Sequence, residues 1–250
     1  MRIKLSCMTC GMEELEAARL IDPSIASISV SPLESTSFEL KEEGLYVLEC
    51  EKGHITYTQL QEQKFQVLFE LGAYAIADGY YRDAVASFTA SLERFYEFFI
   101  KANLYEKKFN DKQISEFWKQ ISNSSIKQAG SFSHAYFHTF GENPPQLSNR
   151  KTEFRNEVIH KGIIPTRQQA IDYGEVIIDL ISPTLQKVQE TMPDGVWQTI
   201  RAHLAKTVLA NLDKNIITRG TPMLLSLTHA DKTTRPNLLG AIATYTDRNK

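Results

Sequence analysis

The chain contains no run of 18 or more apolar residues, which excludes a membrane-spanning helix of ordinary length. The opening stretch MRIKLSCMTCGMEELE has no long apolar core ahead of a small-residue cleavage site. A secretory leader is therefore not expected, and a cytoplasmic protein is. Cysteine is scarce, three in 250 residues. In a reducing compartment such thiols serve as metal ligands or redox pairs rather than structural disulfides. No internal repeat and no low-complexity tract occurs, which leaves an ordinary globular chain. Charge of one sign is also lacking: the net charge is −2, which argues against blanket binding of nucleic acid. What is present suits a soluble fold, with 42% hydrophobic and 23% charged residues. The length suffices for one large domain or two small ones.

Charge is unevenly spread. Residues 1–56 hold five Lys/Arg against ten Asp/Glu, and residues 57–195 hold fifteen against seventeen. Residues 196–250 hold eight against three, a local excess of five positive charges. A polyanion would meet this tail before the front of the chain, although the same distribution also suits a plain solvated surface.

Three segments differ in character. Residues 1–56 read as a small β module: 35–40 and 45–49 have strand character around a Lys41-Glu42-Glu43-Gly44 loop, and 25–30 is a further candidate strand. Residues 57–195 read as helical. Apolar residues recur at helical spacing over 59–78 and again over 81–104, where Ala84, Phe88, Leu92, Phe95 and Phe99 form one stripe. Shorter helices are expected over 111–122 and 125–140, ending before the loop Gly141-Glu142-Asn143-Pro144-Pro145. Ser148 suits the N-cap of a helix over 149–161, with Gly162 just past its end. A long helix over 166–191 should kink or break at Ser182-Pro183, and Pro193-Asp194-Gly195 should turn. Residues 196–250 form a basic extension. It has a helix over 196–212, candidate strands at 216–218 and 223–228, and a segment at 238–245 that suits strand or helix.

All three cysteines join one constellation. Cys7-Met8-Thr9-Cys10 pairs with Cys50-Glu51-Lys52-Gly53-His54. Three thiolates and one imidazole make a closed tetrahedral set, the arrangement of structural zinc rather than of a catalytic ion with an open position. The two-residue spacing suits a tight knuckle. Cys50 and His54 would form a second, one residue longer than the commonest, so the pattern resembles a zinc ribbon. An ion here would hold together a module too small to bury much area. A metal-free thiol cluster and a redox Cys-x-x-Cys are the competing readings, and the second lacks a thioredoxin-like βαβ context.

The other constellation is Arg155-Asn156-Glu157-Val158-Ile159-His160-Lys161-Gly162. At about 100° per residue, Asn156 and His160 share a helix face, while Arg155 lies about 140° from His160 and reaches by its length. Guanidinium binds phosphate oxygens bidentately, imidazole moves protons near neutrality, and an amide can orient either. The helix dipole favours imidazolium in the last turn, and Arg155 opposes it. RNA cleavage needs a base for the 2′-OH, a cation for the phosphorane and an acid for the leaving 5′-oxygen; Arg155 suits the second role, His160 the first or the third, and Asn156 can orient the phosphate or the imidazole, without a metal. The bland reading is that Arg155 and His160 serve the carbonyls and dipole at a helix end.

This run resembles the motif of the HEPN superfamily, an arginine followed four to six residues later by a histidine. Asp78-Gly79-Tyr80-Tyr81-Arg82-Asp83-Ala84-Val85, Ser91-Leu92-Glu93-Arg94-Phe95 and Tyr173-Gly174-Glu175 resemble flanking helices of the same domain. The resemblance covers about residues 57–192. It implies a mainly α chain whose HEPN-type bundle dimerises along the motif helix, so that two copies of Arg155, Asn156 and His160 share one cleft. It implies metal-independent endoribonuclease activity in a toxin–antitoxin, abortive-infection or antiviral setting, with RNA as substrate and an antitoxin or defence protein as partner. The alternative is a non-catalytic module of the same type that binds nucleotide, RNA or protein.

Weaker signals remain. His134 and His138 are four apart on an expected helix but lack a third ligand, so ordinary surface histidines suit better. Glu93 and Glu97 can face the motif or simply be solvated. Arg150, Lys151, Lys161 and Arg167 can line an RNA path or a solvated face.

Overall fold

The structure, a computed structural model, describes residues 1–24, 35–227 and 235–247. These residues are mainly helical. They cluster into two units: Met1–Gln61 with Leu204–Thr221, and Glu62–His203 with the residues from Pro222 onward. The stretch read as a C-terminal extension is thus shared between the two. No described helix is long and apolar enough to cross a membrane.

The first unit contains β1 (Arg2–Ser6), α1 (Met8–Ile21), β2 (Ser35–Glu39), β3 (Leu45–Glu49), β4 (Ile55–Leu60) and β5 (Ile216–Arg219). β1 and β2 form an antiparallel pair. β3 and β4 form an antiparallel hairpin, and β5 joins the other edge of β4 in parallel. Alternation in β1 and β3 turns Ile3, Leu5, Tyr46 and Leu48 inward, where they pack with Leu60, Cys7 and Cys10. This unit differs from the all-β reading because α1 follows β1 directly. Among its residues only Cys10 is buried, so α1 has no apolar stripe to betray it. The candidate strand at 25–30 lies outside the described residues.

The second unit contains α2 (Lys64–Ala77), α3 (Tyr81–Glu106), α4 (Asp111–Ile121), α5 (Ser125–Phe140), α6 (Asn149–His160), α7 (Arg167–Thr191), the start of α8 (Pro193–Leu209) and α9 (Leu238–Asp247). α3 is the central helix. Its buried face carries Phe88, Phe95, Phe98 and Phe99. Phe88 packs on Phe69 of α2 at 4.8 Å, and Phe95 meets Phe65 edge-on at 5.4 Å. On the α5 side, Phe132 stacks on Tyr96 at 4.4 Å and meets Phe99 edge-on. α7 buries Tyr173, Ile177, Ile178 and Ile181 in the same core. α9 settles the strand-or-helix alternative for residues 238–245: Leu238 and Ile242, four apart, are buried, and Tyr245 stacks on Tyr74 at 4.0 Å.

Several expected boundaries moved. Residues 59 and 60 end β4, and α2 begins only after Gln63, whose capping box with Gln66 closes its first turn. α7 runs through Pro183 without ending. Burial of Ile178, Ile181, Leu185 and Val188 on both sides outweighs the roughly 3 kcal/mol that an interior proline costs. Of the candidate strand at 223–228, residues 223–227 form no strand, and residue 228 lies outside the described residues.

Pro193-Asp194-Gly195 starts α8 instead of turning, with proline's fixed φ suited to a first helical position. The Gly195 N–H donates to Glu106 Oε2 at 2.7 Å. A Cβ on Gly195 would lie 2.1 Å from the Ala102 carbonyl oxygen, so this glycine serves close approach of α8 to α3. We predict that Gly195→Ala destabilises the protein by about 1–3 kcal/mol by overpacking, although alanine is the better helix former by about 1 kcal/mol. Urea unfolding checks this, and an unchanged midpoint would refute the close approach.

Candidate metal centre and the Arg155–His160 helix

The four residues singled out for metal binding come together. Cys7 is the N-cap of α1 and Cys10 lies in its first turn, while Cys50 and His54 flank the turn between β3 and β4. The first pair is thus the start of a helix and not a ribbon knuckle. The second pair closes a tight turn: the Gly53 N–H donates to the Cys50 carbonyl at 2.8 Å, with Gly53 at φ +79°. Cys10 Sγ lies 3.7 Å from Cys50 Sγ and 3.4 Å from His54 Nδ1, and Cys7 Sγ lies 3.9 Å from the same nitrogen. All four ligand atoms fall within 4.8 Å of one another. With sulfur at about 2.3 Å and nitrogen at about 2.0 Å from a tetrahedral ion, ligands stand about 3.5–3.8 Å apart. The geometry therefore fits a metal ion.

Burial, with the neighbouring Cys50 and Cys7 thiols adding to it, pushes the Cys10 thiol up to about 12. Burial also opposes ionisation of Cys50, but N–H donors of the His54 and Lys52 backbone and the Cys10 and Cys7 thiols outweigh it and hold that thiol low. Clustered thiolates need a compensating cation, which a divalent metal supplies.

Sequence reading missed Glu13. It sits on α1 three residues after Cys10, hence on the same side of the helix. Its Oε1 lies 3.4 Å from His54 Nε2, and its Oε2 lies 3.5 Å from Lys52 Nζ. A carboxylate on the far nitrogen fixes the ring so that Nδ1 faces the thiols. The signal existed in the spacing of Cys10 and Glu13, but it needed the helix to be recognised.

The other constellation lies on α6. Ser148 caps this helix, its hydroxyl accepting from the Lys151 N–H at 3.3 Å, and Gly162 stops it at φ +72°. His160 is exposed, and Arg155 and Asn156 are half-buried. Arg155 Nε is sequestered from solvent with no hydrogen-bond partner. Its charge acts on two tyrosine hydroxyls. Burial pushes the Tyr96 hydroxyl of α3 up to about 12; Tyr173 and Glu93 add to this, and Arg155 pulls against it. Burial likewise raises Tyr173 of α7, opposed by its contact with Thr89 and by Arg155. Arg155, Tyr96, Tyr173 and Glu93 thus form one electrostatic cluster at the meeting of α3, α6 and α7. Nothing in the α6 sequence pointed to the two tyrosines.

Other candidates have ordinary partners. Glu97 pairs with Arg94 and Lys101 along α3. Lys161 pairs with Glu157 at 3.6 Å, and Lys151 donates to the Asp172 carbonyl at 3.2 Å. Arg150 and Arg167 are exposed. The His134 and His138 rings lie 6.3 Å apart on α5, and no metal-ligating group of three or more includes them among the described residues.

We predict that purified protein carries about one divalent ion per chain, measured by elemental analysis. Cys10→Ser should lose the ion and lower the melting midpoint by roughly 5 °C or more, because metal affinity here is folding energy. Equal metal content in this variant would exclude the site. Comparison of the chain with protein-family models, with curated proteins and with solved structures found no match.

Proposed function

We propose that the protein is a metal-independent endoribonuclease of HEPN type, acting as a toxin or antiviral effector, with a structural zinc ion in its first unit. The observation that carries the reading is the Arg155–His160 helix end. An exposed imidazole stands in the last turn, half-buried Asn156 lies four residues before it, and a guanidinium with an unpartnered Nε lies five before it. In this reading His160 takes the 2′-OH proton or returns one to the 5′-oxygen. Arg155 stabilises the charge on the phosphorane, and Asn156 orients the phosphate. The 2′-oxygen attacks phosphorus, the 5′-oxygen leaves with a proton, and a 2′,3′-cyclic phosphate results. DNA lacks the attacking hydroxyl, so RNA is the substrate. Two copies of the chain, paired along α6, would supply both the acid and the base. Zinc suits the Cys7, Cys10, Cys50 and His54 set because three sulfurs and one nitrogen at tetrahedral spacing leave no position for a substrate. It would act on folding and take no part in the chemistry.

A second reading is favoured by the burial around Arg155. A half-buried guanidinium whose charge acts on Tyr96 and Tyr173 can serve as an internal brace, and the protein would then be a module that binds RNA or nucleotide without cutting it.

The test incubates total RNA with the protein in EDTA. The reading expects cleavage that survives chelation and falls by about 100-fold or more in both Arg155→Ala and His160→Ala. Circular dichroism of each sample verifies folding under chelation. Cleavage that persists in His160→Ala, or RNA left intact by folded wild type, rejects the nuclease; retained RNA binding in the latter case supports the second reading.

A further inference from the structure

A groove of about 650 Å³ lies between α3, α4 and α5. Ile100, Leu104, Phe117 and Ile121 give it an apolar lining. Phe117 remains 40% exposed, so the groove is not filled by the protein's own side chains. Lys107, Lys127, His134 and His138 also line it, and no carboxylate does. Neither lysine has a carboxylate partner among the described residues. Lys107 Nζ lies 3.3 Å from His138 Nδ1, and Lys127 Nζ donates to the Gln120 carbonyl at 3.3 Å. Neither contact brings a negative charge to the ammonium. The Asn103 amide, also in the lining, is engaged by Thr139 and Met192.

We propose that this groove binds a small amphipathic anion, an acyl chain ending in a carboxylate. The apolar walls take the chain, and the lysines with the two imidazoles take the head group. The volume falls within the range of small-molecule sites, about 300–1,000 Å³. A nucleobase fits less well, because the Asn103 amide that could read its edge already donates to Thr139 Oγ1 and Met192 Sδ. Nothing in this site depends on Arg155, His160 or the metal centre.

The experiment is calorimetric titration of the full chain with dodecanoate below its micelle concentration. Wild type should bind it, and dodecan-1-ol about tenfold more weakly, the scale of one charge-assisted contact. The double variant Lys107→Ala/Lys127→Ala should weaken dodecanoate about tenfold and leave dodecanol unchanged. A Cβ added at Gly130, in the groove wall on α5, meets no atom within 4 Å, so a side chain there enters open space. Gly130→Leu should abolish binding while the melting temperature holds or rises, since leucine is the better helix former. Absence of binding to wild type overturns the proposal, as does equal binding to wild type and Gly130→Leu.

Discussion

The second unit depends on burying the aromatic face of α3. Phe88, Phe95, Phe98 and Phe99 are sealed by α2, α5 and α7, and helices that share one apolar partner must lie close to one another. That constraint sets the positions of polar residues on the flanks of the same helix. On one flank, Glu93 and Tyr96 come within electrostatic range of Arg155 of α6 and Tyr173 of α7. Near the far end, Ile100, Leu104 and Lys107 become the wall of the groove shared with α4 and α5. The catalytic candidate and the groove are thus by-products of one packing decision.

The first unit answers a different constraint. Its core is a short list, Ile3, Leu5, Tyr46, Leu48 and Leu60 with two cysteines. Two-stranded and three-stranded sheets of four to six residues per strand bury little area for the chain entropy they must offset. Four ligands drawn from the start of α1 and the β3–β4 turn can supply the missing stabilisation through one ion. Glu13 extends that arrangement outward by orienting His54.

The Arg155 cluster shows how one side chain can be read two ways. Low dielectric around a guanidinium strengthens its pull on an anionic phosphate, and the same low dielectric penalises the charge when no anion is present. A nuclease and an internal brace would both place arginine here, and they differ in what the exposed His160 does.

Much of this was legible in the residues. The stripe from Ala84 to Phe99, the Ser148 cap, the Gly162 stop and the meeting of Cys7, Cys10, Cys50 and His54 all follow from spacing, because each rests on local geometry. Other features rest on contacts that local spacing does not encode. α1 buries only Cys10 and so carries no periodic signal. β5 pairs with β4 across more than 150 residues. α7 survives Pro183, and α8 begins at a proline that read as a turn, because burial overrides local preference. The sequence alone therefore determined which side chains could bind a metal or a phosphate, since that is a matter of chemical type and helical repeat. Only tertiary packing decided that Glu13 would reach His54, that two tyrosines would come under the charge of Arg155, and that three helices would leave a groove whose lysines have no carboxylate partner among the described residues. Those neighbours are far apart along the chain, and only burial of a shared core brings them together.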